Sequence, residues 1–146
     1  MRRVTDPSLA DQLADVLALA PHPEGGLYRQ TWASPVTVTL PDGRVRPTAT
    51  LIYFALPAGA SSAWHRVTSD ETWLAHTGVV RLQYGGTGDA PVEGDTVLVG
   101  TDVLAGQAAQ AVVAAGEWQR TVPGDADALV SCLVSPGFDF ADFELA

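Results

Sequence analysis

PAGASSAWHRVTSDETWLAHTG, residues 57–78, is the stretch whose reading decides the fold. Gly59 and Gly78 stand at turns on either side, and AWHRV and ETWLAH between them have the composition of strands. Successive strand side chains point to opposite faces. His65 and Val67 therefore share a face, as do Glu71 and Trp73, and the turn between the two runs sends His65 and Glu71 into one interior. An imidazole that titrates near neutrality beside a carboxyl group can move a proton or bind a metal.

Working outward, the chain reads as many short strands. VTVTL (36–40) and the run from Arg44 flank Pro41-Asp42-Gly43, a hairpin turn. TATLIYFAL (48–56) is a nearly continuous apolar strand. Further strands are expected over 63–67, 71–76, 79–84, 95–99, 110–113, 117–122, 129–135 and 138–145. Even spacing with turn residues between them argues for a sandwich or barrel. Residues 85–94, rich in glycine, form a hairpin loop. One helix, about residues 7–19, precedes the strands: Asp6-Pro7 supplies its start, Leu9, Leu13, Val16 and Leu17 recur at helical spacing, and Ala20-Pro21 stops it.

Composition sets limits on function. A chain of 146 residues with 47% hydrophobic content supports one domain with its own core. Eight basic residues against 17 acidic ones give a net charge of -9, which argues against bulk binding to nucleic acid. Arg29, Arg44, Arg46, Arg66, Arg81 and Arg120 leave room for a local positive pocket for a small anion. The single cysteine, Cys132, lies in an apolar run and reads as a small buried hydrophobe. The N-terminus has two arginines but no apolar signal region, and no stretch is long enough to span a membrane, so a soluble, cytoplasmic protein is expected.

Four blocks carry a family likeness: HPEGGLYRQTW (22–32), LPAGASSAWHRVTSDETWLAHTG (56–78), VVAAGEWQ (112–119) and SPGFDFADFEL (135–145). In that order they resemble the blocks of the cupin family known as DUF985 or Cupin_5. The resemblance implies a mainly β fold, a double-stranded β-helix or jelly-roll barrel over about 27–145 behind the short helix, shared with the dTDP-sugar 3,5-epimerases and commonly assembled as a homodimer. It implies no particular reaction, because cupins host several. The metal-binding pattern of cupins puts a second histidine two residues after the first, where this chain has Val67, and a last histidine where it has Gln119. His65, Glu71 and a neutral amide are a poor set for a transition metal, so no metal and no cofactor are expected.

Without metal, the resemblance to metal-free epimerases suggests His65 as a base, Glu71 fixing its tautomer, and a tyrosine as the opposing acid. Of Tyr28, Tyr53 and Tyr84, Tyr53 is favoured because it lies in the apolar strand just before the motif. Trp73, Gln119 and Arg29 are the expected ligand contacts, although Arg29 reads equally well as a salt-bridge residue. Trp64 and Trp118, on the other parity, are packing or interface residues, and His76 is a surface or interface residue. His22 is expected to cap the carbonyls ending the helix; the rival reading folds its loop, with Glu24, over the barrel mouth. Phe138, Phe140 and Phe143 suggest a bulged strand packed on the core. The favoured function is a metal-independent isomerase or epimerase acting on a sugar-like or small carbonyl substrate. A non-catalytic ligand-binding protein and a metal-dependent oxygenase or lyase are the alternatives.

Overall fold

Ser8, rather than Asp6, starts the helix in this computed structural model, which describes residues 6–146. Its hydroxyl oxygen accepts the Asp11 N–H at 2.9 Å, and the Asp11 carboxylate accepts the Ser8 N–H at 3.0 Å. This capping box satisfies two backbone donors that the helix leaves without partners, which a start at Pro7 would not do. Helix α1 is Leu9–Leu17, shorter than expected at both ends, and it closes on Ala18 in the left-handed conformation. It packs against the apolar strand β5 (Thr50–Leu56). Arg2 and Arg3 lie outside the described residues.

The strands are β1 (Ala20–Pro21), β2 (Leu27–Ala33), β3 (Thr37–Thr39), β4 (Val45–Pro47), β5 (Thr50–Leu56), β6 (His65–Val67) and β7 (Asp70–Thr77). They continue with β8 (Val80–Tyr84), β9 (Thr96–Val99), β10 (Gln110–Val113), β11 (Gln119–Val122), β12 (Ala128–Ser135) and β13 (Phe143–Leu145). A six-stranded sheet runs β1-β2-β5-β12-β7-β10 and a five-stranded sheet runs β13-β6-β11-β8-β9. The strand pairs are antiparallel, and β3 and β4 form the separate hairpin expected around Pro41-Asp42-Gly43. The two larger sheets face each other. Phe54, Trp73 and Val130 from one meet Val80, Leu82 and Val99 from the other in a shared core. This is the mainly β jelly-roll arrangement.

Strand parity decides what enters the interior. On β7, Glu71 and Trp73 point inward opposite Val134 and Cys132 of β12. On β5, Thr50, Ile52 and Phe54 take the inner face, and on β2 Tyr28 and Gln30 stand opposite Phe54 and Ile52. Residues 138–145 depart from the expected bulged strand. Asp139 caps a single 3₁₀ turn, Phe140–Asp142, and only Phe143–Leu145 pairs with a strand, β6. The turn swings Asp142 outward, where its carboxylate accepts from Arg44 at 2.8 Å and from Arg46 at 2.8 Å, tying the β3–β4 hairpin to the C-terminal segment.

Candidate functional site

Between the sheets lies a cavity of about 300 Å³. His22, Glu24, His65 and Glu71 form its polar end. Ile52, Val67 and Val134 give it aliphatic walls, and Tyr28, Phe138, Phe140 and Phe143 give it an aromatic side. Large rigid aromatics with a few convergent polar groups are the usual make-up of a small-molecule site.

Glu71 sits where β7 meets β10 and β12, and its side chain meets a neutral partner. The Gln119 amide donates to Glu71 Oε1 at 2.6 Å, while the Trp73 indole N–H donates to Gln119 Oε1 at 2.9 Å. The indole fixes which way the amide points: its oxygen is taken by Trp73, so its NH₂ must face Glu71. The Cys132 thiol beside it also favours the ionised carboxyl group. These neutral donors compensate only part of the cost of burying a charge. Burial first, and then repulsion from Glu24, push the Glu71 pKa up to about 7, against the lowering effect of His65. The same burial, with Glu71 and Glu24 nearby, holds the Cys132 thiol well above its ordinary range.

His65 is clamped at both ring nitrogens. Nδ1 lies 2.8 Å from the Ala63 carbonyl oxygen, which can only accept, so Nδ1 carries a proton. Nε2 lies 2.5 Å from Glu24 Oε2, a separation that requires a proton between them, although Glu24 Oε2 accepts no well-directed hydrogen bond. Burial alone would lower the His65 pKa; the charges of Glu24 and Glu71 and the hydrogen bonds to Glu24 and Ala63 outweigh it and the net shift is upward. The contact thus favours the imidazolium form of His65. His65 is also stacked on Phe143, with ring centroids 5.5 Å apart.

Glu24 reaches His65 because of the turn that carries it. Gly25 has φ +109° and Gly26 φ +77°, and a Cβ on Gly26 would lie 2.7 Å from the Phe54 ring, so only glycine lets this turn press against the barrel. The Glu24 carbonyl accepts the Ala63 N–H at 2.7 Å, which fastens the turn to the strand entry of His65. His22 receives the Glu24 N–H on Nδ1 at 3.1 Å. An accepting Nδ1 means a neutral ring with its proton on Nε2, in agreement with a pKa lowered chiefly by burial. The His22 Nδ1–Glu24 Oε1 approach of 3.7 Å is then no ion pair.

The expected site residues divide. His65 and Glu71 line one cavity, as their parity requires. Trp73 and Gln119 lie beneath it, almost fully buried, with Gln119 bonded to Glu71 and Trp73 to Gln119. Tyr53 is on the outer face of β5 beside His76, ring centroids 6.1 Å apart, because β5 gives its inner face to Ile52 and Phe54. Tyr28 is the tyrosine that lines the cavity. Arg29, on the outer face of β2, donates to the Leu17 carbonyl at 3.3 Å. It thereby serves the helix end, and His22 faces the cavity instead of capping. No arginine lines the cavity among the described residues. Trp64 and Trp118 pack, under Arg120 and Arg66 respectively. His76 is exposed and bonds Ser131 at 2.6 Å. Phe138, Phe140 and Phe143, expected only as packing, are cavity walls.

A family model described as "Cupin superfamily (DUF985)" matches residues 11–146. The chain belongs to this cupin family. A solved structure of a hypothetical protein from Leishmania major is 35% identical with a TM-score of 0.84, covering 96% of this chain and 88% of that one. A Shewanella oneidensis protein is 33% identical with a TM-score of 0.80, covering 100% of this chain and 85% of its own. KdgF from a Halomonas species shares the fold at 14% identity and a TM-score of 0.59, over 84% of this chain and 89% of that one. No curated protein sequence matches.

The metal that the cupin resemblance implies does not fit these residues. Val67 offers no donor, the Gln119 oxygen is turned onto Trp73, and both His65 nitrogens are engaged. Among the described residues, no group of three or more His, Cys, Asp or Glu side chains is arranged to hold a metal ion.

Glu71 makes a signed prediction. Its folded pKa of about 7 exceeds its ordinary 4.5, so between these values the folded state binds more protons than the unfolded chain and stability falls as pH rises. His65, also raised, acts in the same direction, and His22, lowered, acts in the opposite one. Glu71→Gln should remove a pH-dependent loss of about 2 to 3 kcal/mol across that window, read by urea denaturation at a series of pH values. A variant whose pH profile parallels that of the parent chain would mean Glu71 is ordinarily ionised.

Proposed function

We propose that this cupin is a metal-independent isomerase or epimerase that moves a proton at the carbon beside the carbonyl of a small sugar-like compound. The observation that carries this reading is Glu71, a carboxyl group with a pKa of about 7 opening on a ligand-sized cavity. General acid–base catalysis works best with a group whose pKa lies near the working pH. A base also needs a free lone pair. His65 has none, since Nδ1 donates to Ala63 and Nε2 meets Glu24, so the base is Glu71 rather than His65.

In this reading Glu71 takes the proton from carbon and the electron pair moves onto the carbonyl oxygen. The Nε2–H of neutral His22 donates to the developing enolate oxygen, and His65, matched to Glu24, holds the polar end of the cavity in place. For an isomer, the hydroxyl proton on the deprotonated carbon passes to the enolate oxygen, making that carbon the new carbonyl, while Glu71 returns its proton to the former carbonyl carbon. For an epimer, Tyr28 protonates the same carbon from the opposite face and its phenolate recovers the proton from Glu71. The near-complete burial of the His65–Glu24 pair favours one rival, a cupin that binds its ligand without turnover.

A homodimer belongs to the same proposal. Trp32 at the end of β2, with Val36 and Val45 beside it in chain order at the β3–β4 hairpin, are exposed apolar residues at the limits of a sheet, a pattern that pairing of subunits covers. Light scattering should give twice the 15.3 kDa chain mass, and a single-chain mass at micromolar concentration would refute it.

Incubation with free aldoses and ketoses in deuterium oxide tests the chemistry. Proton NMR should show loss of the signal beside the carbonyl, with a rate that rises with pH through about 7 as Glu71 ionises. Glu71→Gln should slow exchange by about 10²-fold or more with the fold intact. Ligand binding with no exchange at any pH would leave the binding reading in its place.

A further inference from the structure

The chain contains no lysine, and its basic residues are all arginines. Each arginine among the described residues is turned to the outside and engaged there. Arg44 and Arg46 hold Asp142, Arg66 holds Glu144, Arg81 approaches Asp125, Arg120 holds Glu93, and Arg29 bonds the Leu17 carbonyl. The cavity, by contrast, receives Glu24 and Glu71 inside and Asp139 at its rim. Its one cation, the His65 imidazolium, is already matched to Glu24 at 2.5 Å. An anionic group entering this space would meet carboxylates and no unpaired cation, which penalises it, whereas hydroxyl groups find Glu71, His22 and Tyr28 as partners.

Shape agrees with charge. About 300 Å³ is at the small end of ligand cavities, room for one sugar-sized molecule. Four aromatic rings, those of Tyr28, Phe138, Phe140 and Phe143, form one side. Their faces carry partial negative charge and receive C–H groups or a cation, again disfavouring anions.

We propose that the cavity selects a free, non-anionic monosaccharide-sized carbonyl compound and rejects its phosphorylated, carboxylated or nucleotide-linked forms. This rests on the proposed function only for the carbonyl group; the charge selection concerns binding alone. An ammonium group in place of a hydroxyl is accepted, because Glu71 and Asp139 are the carboxyl groups it would meet.

Binding is measured independently of turnover, by calorimetry and saturation-transfer NMR with D-fructose, D-mannose and D-glucosamine, their monophosphates where these exist, and dTDP-glucose. The free sugars should bind at least about tenfold more tightly than the corresponding phosphates, and glucosamine no more weakly than its neutral counterparts. Gln30→Arg, a change at an exposed position on the cavity wall, should narrow or reverse that difference by supplying the missing cation. Phosphates or dTDP-glucose binding as tightly as free sugars to the unmodified protein would overturn the inference, and so would failure of every free sugar to bind. Sugar binding without hydrogen exchange keeps this inference and removes the catalytic reading. Exchange confined to phosphorylated sugars does the reverse.

Discussion

The chemistry proposed for this cavity depends on a carboxyl group stabilised by a neutral amide instead of an arginine. Glu71 lies in the barrel interior with Gln119 as its donor at 2.6 Å. A guanidinium there would lower its pKa and make it a permanent anion; a wholly apolar pocket would make it a permanent acid. Gln119 does neither. It gives one hydrogen bond that is usable by both protonation states, and Trp73 prevents it from turning round. The result is a carboxyl group that changes state near neutrality, which a permanent structural ion pair could not do.

The second half of the site is brought in by a turn. Glu24 is separated from His65 by some forty residues of chain, and the two meet because Gly25 and Gly26 adopt positive φ values close against the barrel. His65 is thereby drawn toward the imidazolium form, and its charge faces Glu71 across the cavity. The contact is as much architectural as chemical: it closes the turn onto the strand while orienting the ring through Ala63. Among the described residues charge is partitioned, with arginine–carboxylate pairs outside and carboxyl and imidazole groups in the cavity.

The fold was legible in the sequence because strand period and turn residues act locally. The alternation in AWHRV and ETWLAH put His65 and Glu71 on one interior face, and the hairpin at Pro41-Asp42-Gly43 followed from its turn residues. What escaped depended on contacts distant in sequence. Nothing periodic in HPEGGLYRQTW reveals that Glu24 reaches His65, although the glycine pair beside an acidic residue was a usable signal. Tyr53 was a natural choice because TATLIYFAL is apolar throughout and carries no alternation from which its face can be read; the pairing of Tyr28 with Phe54 decides the matter instead. The C-terminal phenylalanines were recognised as aromatic packing, but the 3₁₀ turn that makes them cavity walls is set by Asp139 capping its own neighbour at Ala141. Gln119 was noted as a missing ligand, whereas its role is to hold Glu71.

The central claim is that Glu71 changes protonation near neutral pH inside the folded barrel. Site-specific titration by carbon NMR of the side-chain carboxyl groups, assigned by comparison with Glu71→Gln, measures this without any ligand or substrate. The account predicts a Glu71 midpoint at about 7, with a coupled response in the His65 ring. A Glu71 midpoint at the ordinary glutamate value of 4.5 would contradict it, because the carboxyl group would then be a fixed anion whose basicity is not matched to neutral pH.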